Sequence, residues 1–528
     1  TTPRTTHAKQ NATRGPNPLR RNTYQPPVLG IIAPSSAKVI APASARIAPR
    51  TQAPRNGPGA GKCCATDAGW KKIPIPMIPP MTSNVASTSD SGRDGDSMDE
   101  AAYPKAGRAR WSRRKRWAWI VLALVLAVPI GLIAGRGAIF RWIAGPENPG
   151  GLHGAPVPEV AGPILARAMQ GLEGHTLIDL HAHLAGKGPG NGNWVNPRLE
   201  SLRHPLDYAR GTAFRYAGLG HPDAEDIVWL HRLGRFADGL PLPSVHHVLA
   251  FDKRYDEDGN EDLDGTEFYV PNTWAVYGAD QVDGRLVPAG SVHPYRMDAV
   301  DELQRCHAAG ARLIKWLPSA QGIDPSHPKC AAFYAAMSDL GLTLLVHTGA
   351  EGAVGGHAEA HLNNPLHLRS ALRAGVTVVI AHCACDGEGI DLDDPERPLV
   401  RNTQLFLRLM DEPEWEGQLF GEISAVTLAN RFQEALTMLL ARPDLHPRLV
   451  HASDWPLPAV RVLYRLDPLV KGGWLDPEDV APLRALYEHN PLLFDFVLKR
   501  VVRHPETGQR FADEIFQVRE SLPFCGAK

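Results

Sequence analysis

From about Thr176 onward the chain alternates two textures: short runs that are apolar throughout, and longer stretches whose apolar residues recur at helical spacing. The short runs are Thr176–His183, Val245–Phe251, Leu286–His293, Ala311–Trp316, Thr343–His347, Val376–His382, Leu419–Ile423 and Leu449–Ser453. Continuous rather than alternating hydrophobicity marks strands covered on both faces, as in a parallel sheet. Helical patterns separate most of them, among them Asp298–Ala309, Ala331–Leu340, Pro365–Ala374 and Asn430–Ala441. Eight strand–helix repeats over roughly 320 residues predict an α/β fold, a (β/α)8 TIM barrel, within a domain at 170–528. A doubly wound sheet needs fewer strands and a glycine-rich turn after the first. Gly186–Gly192 is glycine-rich but fits neither the P-loop nor the dinucleotide pattern, so it is expected to give mobility to the loop after strand one.

Ahead of the barrel the pattern disappears. Residues 1–112 are rich in Pro, Ala, Ser, Thr, Arg and Gly, as in Ile40–Pro49, and show no sustained apolar periodicity. Such a segment buries too little apolar surface to offset its ordering entropy, so disorder is the expectation. No Met precedes Met77, which leaves Met77, Met81 and Met98 as alternative initiators. The run Trp117–Gly135 holds nineteen residues without a charge, enough to span roughly 30 Å of hydrocarbon as a helix. Arg108, Arg110, Arg113, Arg114, Lys115 and Arg116 precede it, and Arg136 and Arg141 follow. This predicts a transmembrane signal-anchor at 117–135 in the inner (cytoplasmic) membrane, with the barrel on the periplasmic or extracytoplasmic side. A long cleaved signal peptide and a buried soluble helix are the alternatives. Residues 143–160, with several Gly and Pro, read as a linker.

Composition changes this picture in one respect. A formal net charge of −1 conceals a basic head: residues 1–116 carry 20 Lys/Arg against 6 Asp/Glu, and the remainder carries 36 against 51. A basic head on an acidic body fits a tail or membrane-facing segment, and the body has no basic stripe interleaved with aromatics, which sets nucleic acid aside as a partner. The seven cysteines form no CxxC pair. Cys383 and Cys385 read as core, and a Cys306–Cys330 disulfide stays open. The acidic stretch Asp256–Asp264 lacks the ligand spacing of a calcium loop and reads as solvated.

In this fold the chemistry collects at the C-terminal strand ends, where the polar residues of these runs fall. Strand one ends His181-Ala-His183; two histidines at i and i+2 share a face and can share one cation. Strand four carries Lys315, strands five and six end at His347 and His382, and strand eight leads to Asp454. Singly, each is as well explained by packing or capping; jointly, and in this order, they point to a metal site.

That ordered set resembles the amidohydrolase superfamily, most closely its amidohydrolase-related (amidohydrolase 2) branch of metal-dependent hydrolases. The resemblance runs from about Thr176 to Phe496 and includes His489-Asn-Pro, which is similar to the closing Asn-rich segment of that family. It implies that His181, His183 and His347 bind metal. It also implies that His382 holds a second metal or polarises the substrate, and that Asp454 ligates metal and moves the proton. Some members carbamylate a strand-four lysine to bridge two metals, which would fall on Lys315; otherwise Lys315 pairs with an acid or reaches a substrate carboxylate. The implied cofactor is a divalent metal, zinc foremost, as one or two ions. The implied reaction is attack of metal-activated water on an amide, ester or lactone of a small-molecule substrate, with His382 stabilising the oxyanion. Decarboxylation within the same branch is the alternative, and an inactive membrane-anchored binding protein the third reading. Glu422 is expected either to meet substrate or to form a barrel-mouth salt bridge, and Trp316 to meet substrate, with Trp455 and His293 as further candidates to line the pocket; core or rim packing is the plainer alternative for these aromatics.

Overall fold

The computed structural model describes residues 135–525 apart from 147–148, 189, 222 and 283, and the eight apolar runs become eight parallel strands. These are β1 (Leu177–His183), β2 (Ser244–Leu249), β3 (Leu286–Ala289), β4 (Leu313–Trp316), β5 (Thr343–His347), β6 (Thr377–Ala381), β7 (Leu419–Glu422) and β8 (Leu449–Val450). Ladders join β1 to β2 to β3, and β4 through β8 in sequence order. Two seams close the ring. Gly290 N–H donates to Leu313 O at 2.9 Å and Lys315 N–H to Gly290 O at 2.7 Å between β3 and β4. Leu180 N–H donates to His451 O at 3.2 Å, and Ala182 bridges Trp455, between β1 and the segment after β8. The result is a closed (β/α)8 barrel with helices such as Ala299–Ala308, Cys330–Asp339 and Phe432–Leu440 outside it.

Strand parity decides what each position does. Ile178, Leu249, Leu313, Leu345, Val379 and Phe420 form one apolar cluster, each from a different strand, and so plug the barrel interior. Their neighbours Leu344, Val346, Val378, Ile380 and Leu419 belong to the outer cluster beneath the helices. Cys306, Cys330, Cys383 and Cys385 are buried and free, so the Cys306–Cys330 disulfide is not formed.

The structure bears on three of these expectations. A single-pass inner-membrane protein is not supported: among the described residues no helix is long and apolar enough to cross a membrane. Of the run at 117–135 only Gly135 is described, and it opens a helix at 135–143 whose Phe140 is buried and stacks on Tyr216 at 6.1 Å. Residues 1–112 lie outside the described residues. The segment expected as a linker at 143–160 is in part packed structure, with short 3-10 turns at Gly150–His153 and Glu159–Ala161. Gly151 permits this: a Cβ there would come within 2.7 Å of His489 O. Finally, the glycine-rich loop after β1 is pinned. The Asp226 carboxylate accepts from Lys187 N–H (2.9 Å), Gly188 N–H (2.7 Å), Asn191 Nδ2 (2.6 Å) and Asn193 Nδ2 (3.0 Å).

Candidate metal centre and substrate cleft

β1 delivers its histidines through an irregularity. Ile178 and Leu180 both belong to the interior plug, and regular alternation would then turn His181 outward. The β1–β2 register shifts between Asp179 and Ala182, and beyond that shift His181 and His183 line the barrel mouth. Asp179 fastens this end to the opposite seam. Its Oδ1 accepts from His181 N–H (3.2 Å) and Ser453 N–H (2.8 Å), and its Oδ2 lies 3.0 Å from His246 Nδ1. Burial raises the Asp179 carboxyl, but His246 and the other donors win and hold it well below the usual carboxylate range. Asp454, next after Ser453, donates its N–H to His181 O at 2.7 Å. Its φ of 56°, like those of His382 (54°), Cys383 (50°) and Ala384 (55°), lies in the left-handed region. Each such residue costs about 1–2 kcal/mol, and here the hydrogen bonds around the mouth oppose that cost.

Three ligating atoms converge. His181 Nε2 and His183 Nε2 are 3.1 Å apart, and each is 3.4 Å from Asp454 Oδ1. Ligands about 2.0–2.1 Å from a common ion at near-tetrahedral angles stand roughly 3.1–3.4 Å from one another, so the trio fits a divalent cation. Lys315 Nζ is 3.1 Å from His181 Nε2 on the same side. Burial pushes the His181 and His183 imidazoles well below their ordinary range, keeping them neutral with lone pairs available. It also pushes the Lys315 ammonium down and the Asp454 carboxyl up, while their mutual attraction opposes both shifts.

Behind the trio lies a hydrogen-bond relay that fixes which nitrogens face the mouth. Glu422, fully buried, accepts from His382 N–H (2.9 Å), Ser424 N–H (2.6 Å) and Ser424 Oγ (2.8 Å). Its Oε1 is also 3.0 Å from His181 Nδ1. A carboxylate only accepts, so His181 carries its proton on Nδ1 and offers the Nε2 lone pair. Because the Ser424 hydroxyl hydrogen goes to Glu422, His382 Nδ1, 2.7 Å from Ser424 Oγ, must donate to it. His382 therefore also presents a bare Nε2, 3.7 Å from Asp454 Oδ2. A second cluster of candidate ligands, His181, His382 and Glu422, is accounted for by this relay.

The other expected residues divide. His347 lines the mouth but stands apart from the trio, its Nε2 3.3 Å from Glu351 Oε2. Desolvation lowers its imidazole to about 4 despite the Glu351 charge. Glu422 was expected against substrate; it lies beneath His181 and His382 and does not line the cleft. Trp316 was expected there too. On β4, Lys315 shares the inward parity of Leu313, so Trp316 points outward, fully buried between Phe333 and Tyr334. Trp455, tilted against Phe236, and His293, whose Nε2 meets Gln321 O at 2.9 Å, are likewise core. Residues that sequence reasoning missed are Ser424, Glu351 and Arg431. Only Ser424 left a signal, two positions after Glu422 and just beyond the end of β7; the other two sit on loops that only the fold brings to the mouth.

The mouth opens into a cleft of about 1020 Å³ of empty space continuous with solvent, walled by Val195, Phe214, Trp229, Phe268, Val354 and Leu457. A closed (β/α)8 barrel with neutral histidines and an acid gathered at its mouth defines a barrel enzyme built for a metal-assisted reaction. The family model described as Amidohydrolase matches residues 178–492. The chain belongs to the amidohydrolase family and is a metal-dependent enzyme of it. No curated protein matches the chain. Among solved structures it is similar to an uncharacterised TIM-barrel protein of Bordetella bronchiseptica (14% identity over 61% of this chain and 99% of that one, TM-score 0.37). It is also similar to a putative 2-pyrone-4,6-dicarboxylic acid hydrolase of Pseudomonas putida (18%, 61% and 98%, 0.33). A third likeness is to 5-carboxyvanillate decarboxylase of Sphingomonas paucimobilis (13%, 60% and 98%, 0.33).

Proposed function

We propose that the chain is a hydrolase that directs a metal-activated water at an amide, ester or lactone in the cleft. The observation that carries this reading is the spacing of His181 Nε2, His183 Nε2 and Asp454 Oδ1, 3.1–3.4 Å from one another. These residues would hold a divalent cation, zinc foremost for imidazole ligands, which would lower the pKa of a bound water from about 15.7 to about 7 and polarise a carbonyl. Asp454 takes the proton from the attacking water and returns it to the leaving group. His382, with its proton committed to Ser424, has no hydrogen to offer an oxyanion from Nε2. It acts instead as a lone-pair donor, which suits a ligand to a second ion. Lys315, 3.1 Å from His181 Nε2, is the residue to bridge two ions if carbamylated.

The Asp454→Asn variant tests this reading. It is expected to fold normally and lose nearly all turnover, on the order of 10³-fold or more; retention of more than about a tenth of the activity removes Asp454 from its role. Elemental analysis giving a metal-to-protein ratio near two supports the bridging Lys315, and a ratio near one counts against it. Product analysis separates the chemistries, since release of CO2 marks a decarboxylase.

A further inference from the structure

Three arginines line the cleft: Arg210, Arg215 and Arg431. Two are already neutralised. Arg210 pairs with Glu267 and, at 3.2 Å, with Asp207, while Arg215 donates to Glu200 at 2.6 Å. Arg431 is placed differently. It precedes the helix Phe432–Leu440 and is 8% exposed. Its Nη2 donates to Ala350 O at 3.3 Å, but Nε and Nη1 are buried and have no hydrogen-bond acceptor among the described residues. Three carboxylates act on its charge, Asp386, Glu351 and Asp454, and each has other partners, Asp454 standing 3.4 Å from His181 Nε2 and His183 Nε2. Asp386 Oδ2 is 4.0 Å from Arg431 Nε and accepts from Asn430 Nδ2 at 2.7 Å. Glu351 accepts the N–H groups of Ala353 and Val354 through Oε1, and its Oε2 faces His347.

Nearby anions hold the charge in place, but two buried N–H groups of the guanidinium have given up water without gaining an acceptor, and a ligand that supplies one to each gains those hydrogen bonds. Its planar fork suits a carboxylate. Glu267 and Glu351 line the same cleft, which favours a single negative charge over a doubly charged phosphate. Much of the cleft's lining is apolar, with Phe214, Trp229, Phe268 and Val354 among it.

We infer that Arg431 anchors a carboxylate of the substrate, which is therefore a small acid with an apolar body whose reacting group reaches His181, His183 and Asp454. The word substrate rests on the hydrolase reading above; the anion site itself does not. Isothermal titration of the metal-loaded full chain with benzoate, trans-cinnamate and 3-phenylpropanoate, each against its own primary amide, provides the test. For at least one pair the acid should bind more than about tenfold tighter than the amide. Arg431→Gln should abolish that preference while leaving amide binding intact, and Arg431→Lys should restore part of it. The ligand-free Arg431→Gln protein should melt close to the wild type, because the guanidinium holds only a 3.3 Å bond to Ala350 O and a 4.0 Å approach to Asp386; a large drop would mark a structural cross-link instead. Absence of any acid-over-amide preference, or a preference that survives Arg431→Gln, overturns the assignment, the latter by placing the anion on the metal. Repeating the titration on chelator-treated protein separates the two readings. An Arg431-dependent preference that persists there upholds the anchor even where turnover proves independent of metal.

Discussion

The two ends of the barrel interior are built on the same inward-facing strand positions and carry opposite chemistry. In the lower interior Leu313, Leu345, Phe420 and Ala452 form a dry plug. Two residues further along the chain in each case stand Lys315, His347 and Glu422 at strand ends and Asp454 in the segment after β8, all buried. The difference teaches how the site is held. Apolar packing below fixes the strand ends without any polar demand, and the upper ends then need only hydrogen bonds between neighbours, such as those of Asp179 and Glu422, to aim each ligand.

If this division of labour is right, damage at the two ends should separate stability from metal affinity. The largest effect is expected from Leu345→Ala, which should cost about 2–5 kcal/mol in denaturant unfolding through the cavity it leaves. Turnover per folded molecule should change little. A loss of turnover without a loss of stability would break the comparison. Glu422→Gln comes next: it disturbs the acceptor shared by His181, His382 and Ser424, and should weaken metal binding about 10–100-fold in a chelator competition with the fold intact. The smallest effect concerns pH. Burial lowers His247 to about 4 and His451 to about 3, below the roughly 6.5 of an unfolded chain. The unfolded state thus binds the extra protons first, and stability present above pH 6.5 is lost as pH falls towards those lower values. Between pH 7 and pH 6 the loss should be about 0.7 kcal/mol for each such imidazole, measured by denaturation of metal-free protein. Stability that rises over that interval would contradict the buried neutral state.

Much of the barrel was legible because continuous apolar runs mark strands covered on both faces, and the order of His181, His183, His347, His382 and Asp454 marks their C-terminal ends. Trp316 shows a signal misread: Lys315 and Trp316 are adjacent on one strand, so only one of them can face inward. Glu422 faces inward as expected, but its depth depends on how β7 is staggered against β1 and β6, which no single strand reveals. Arg431 and Glu351 carry no periodicity at all; loop conformation alone brings them to the mouth. Within 143–160, Gly and Pro mark a chain that bends but do not tell whether it packs, as Gly151 does against His489.

That His181, His183 and Asp454 hold a catalytic metal is tested most directly by elemental analysis of the purified chain beside its His181→Ala/His183→Ala double variant, paired with activity before and after chelation. The wild type should carry at least about one divalent ion per chain, and the folded variant less than about a tenth of that. Chelation should abolish activity, and added metal should restore it. Stoichiometric metal in the double variant, or full activity in metal-free wild type, would contradict this.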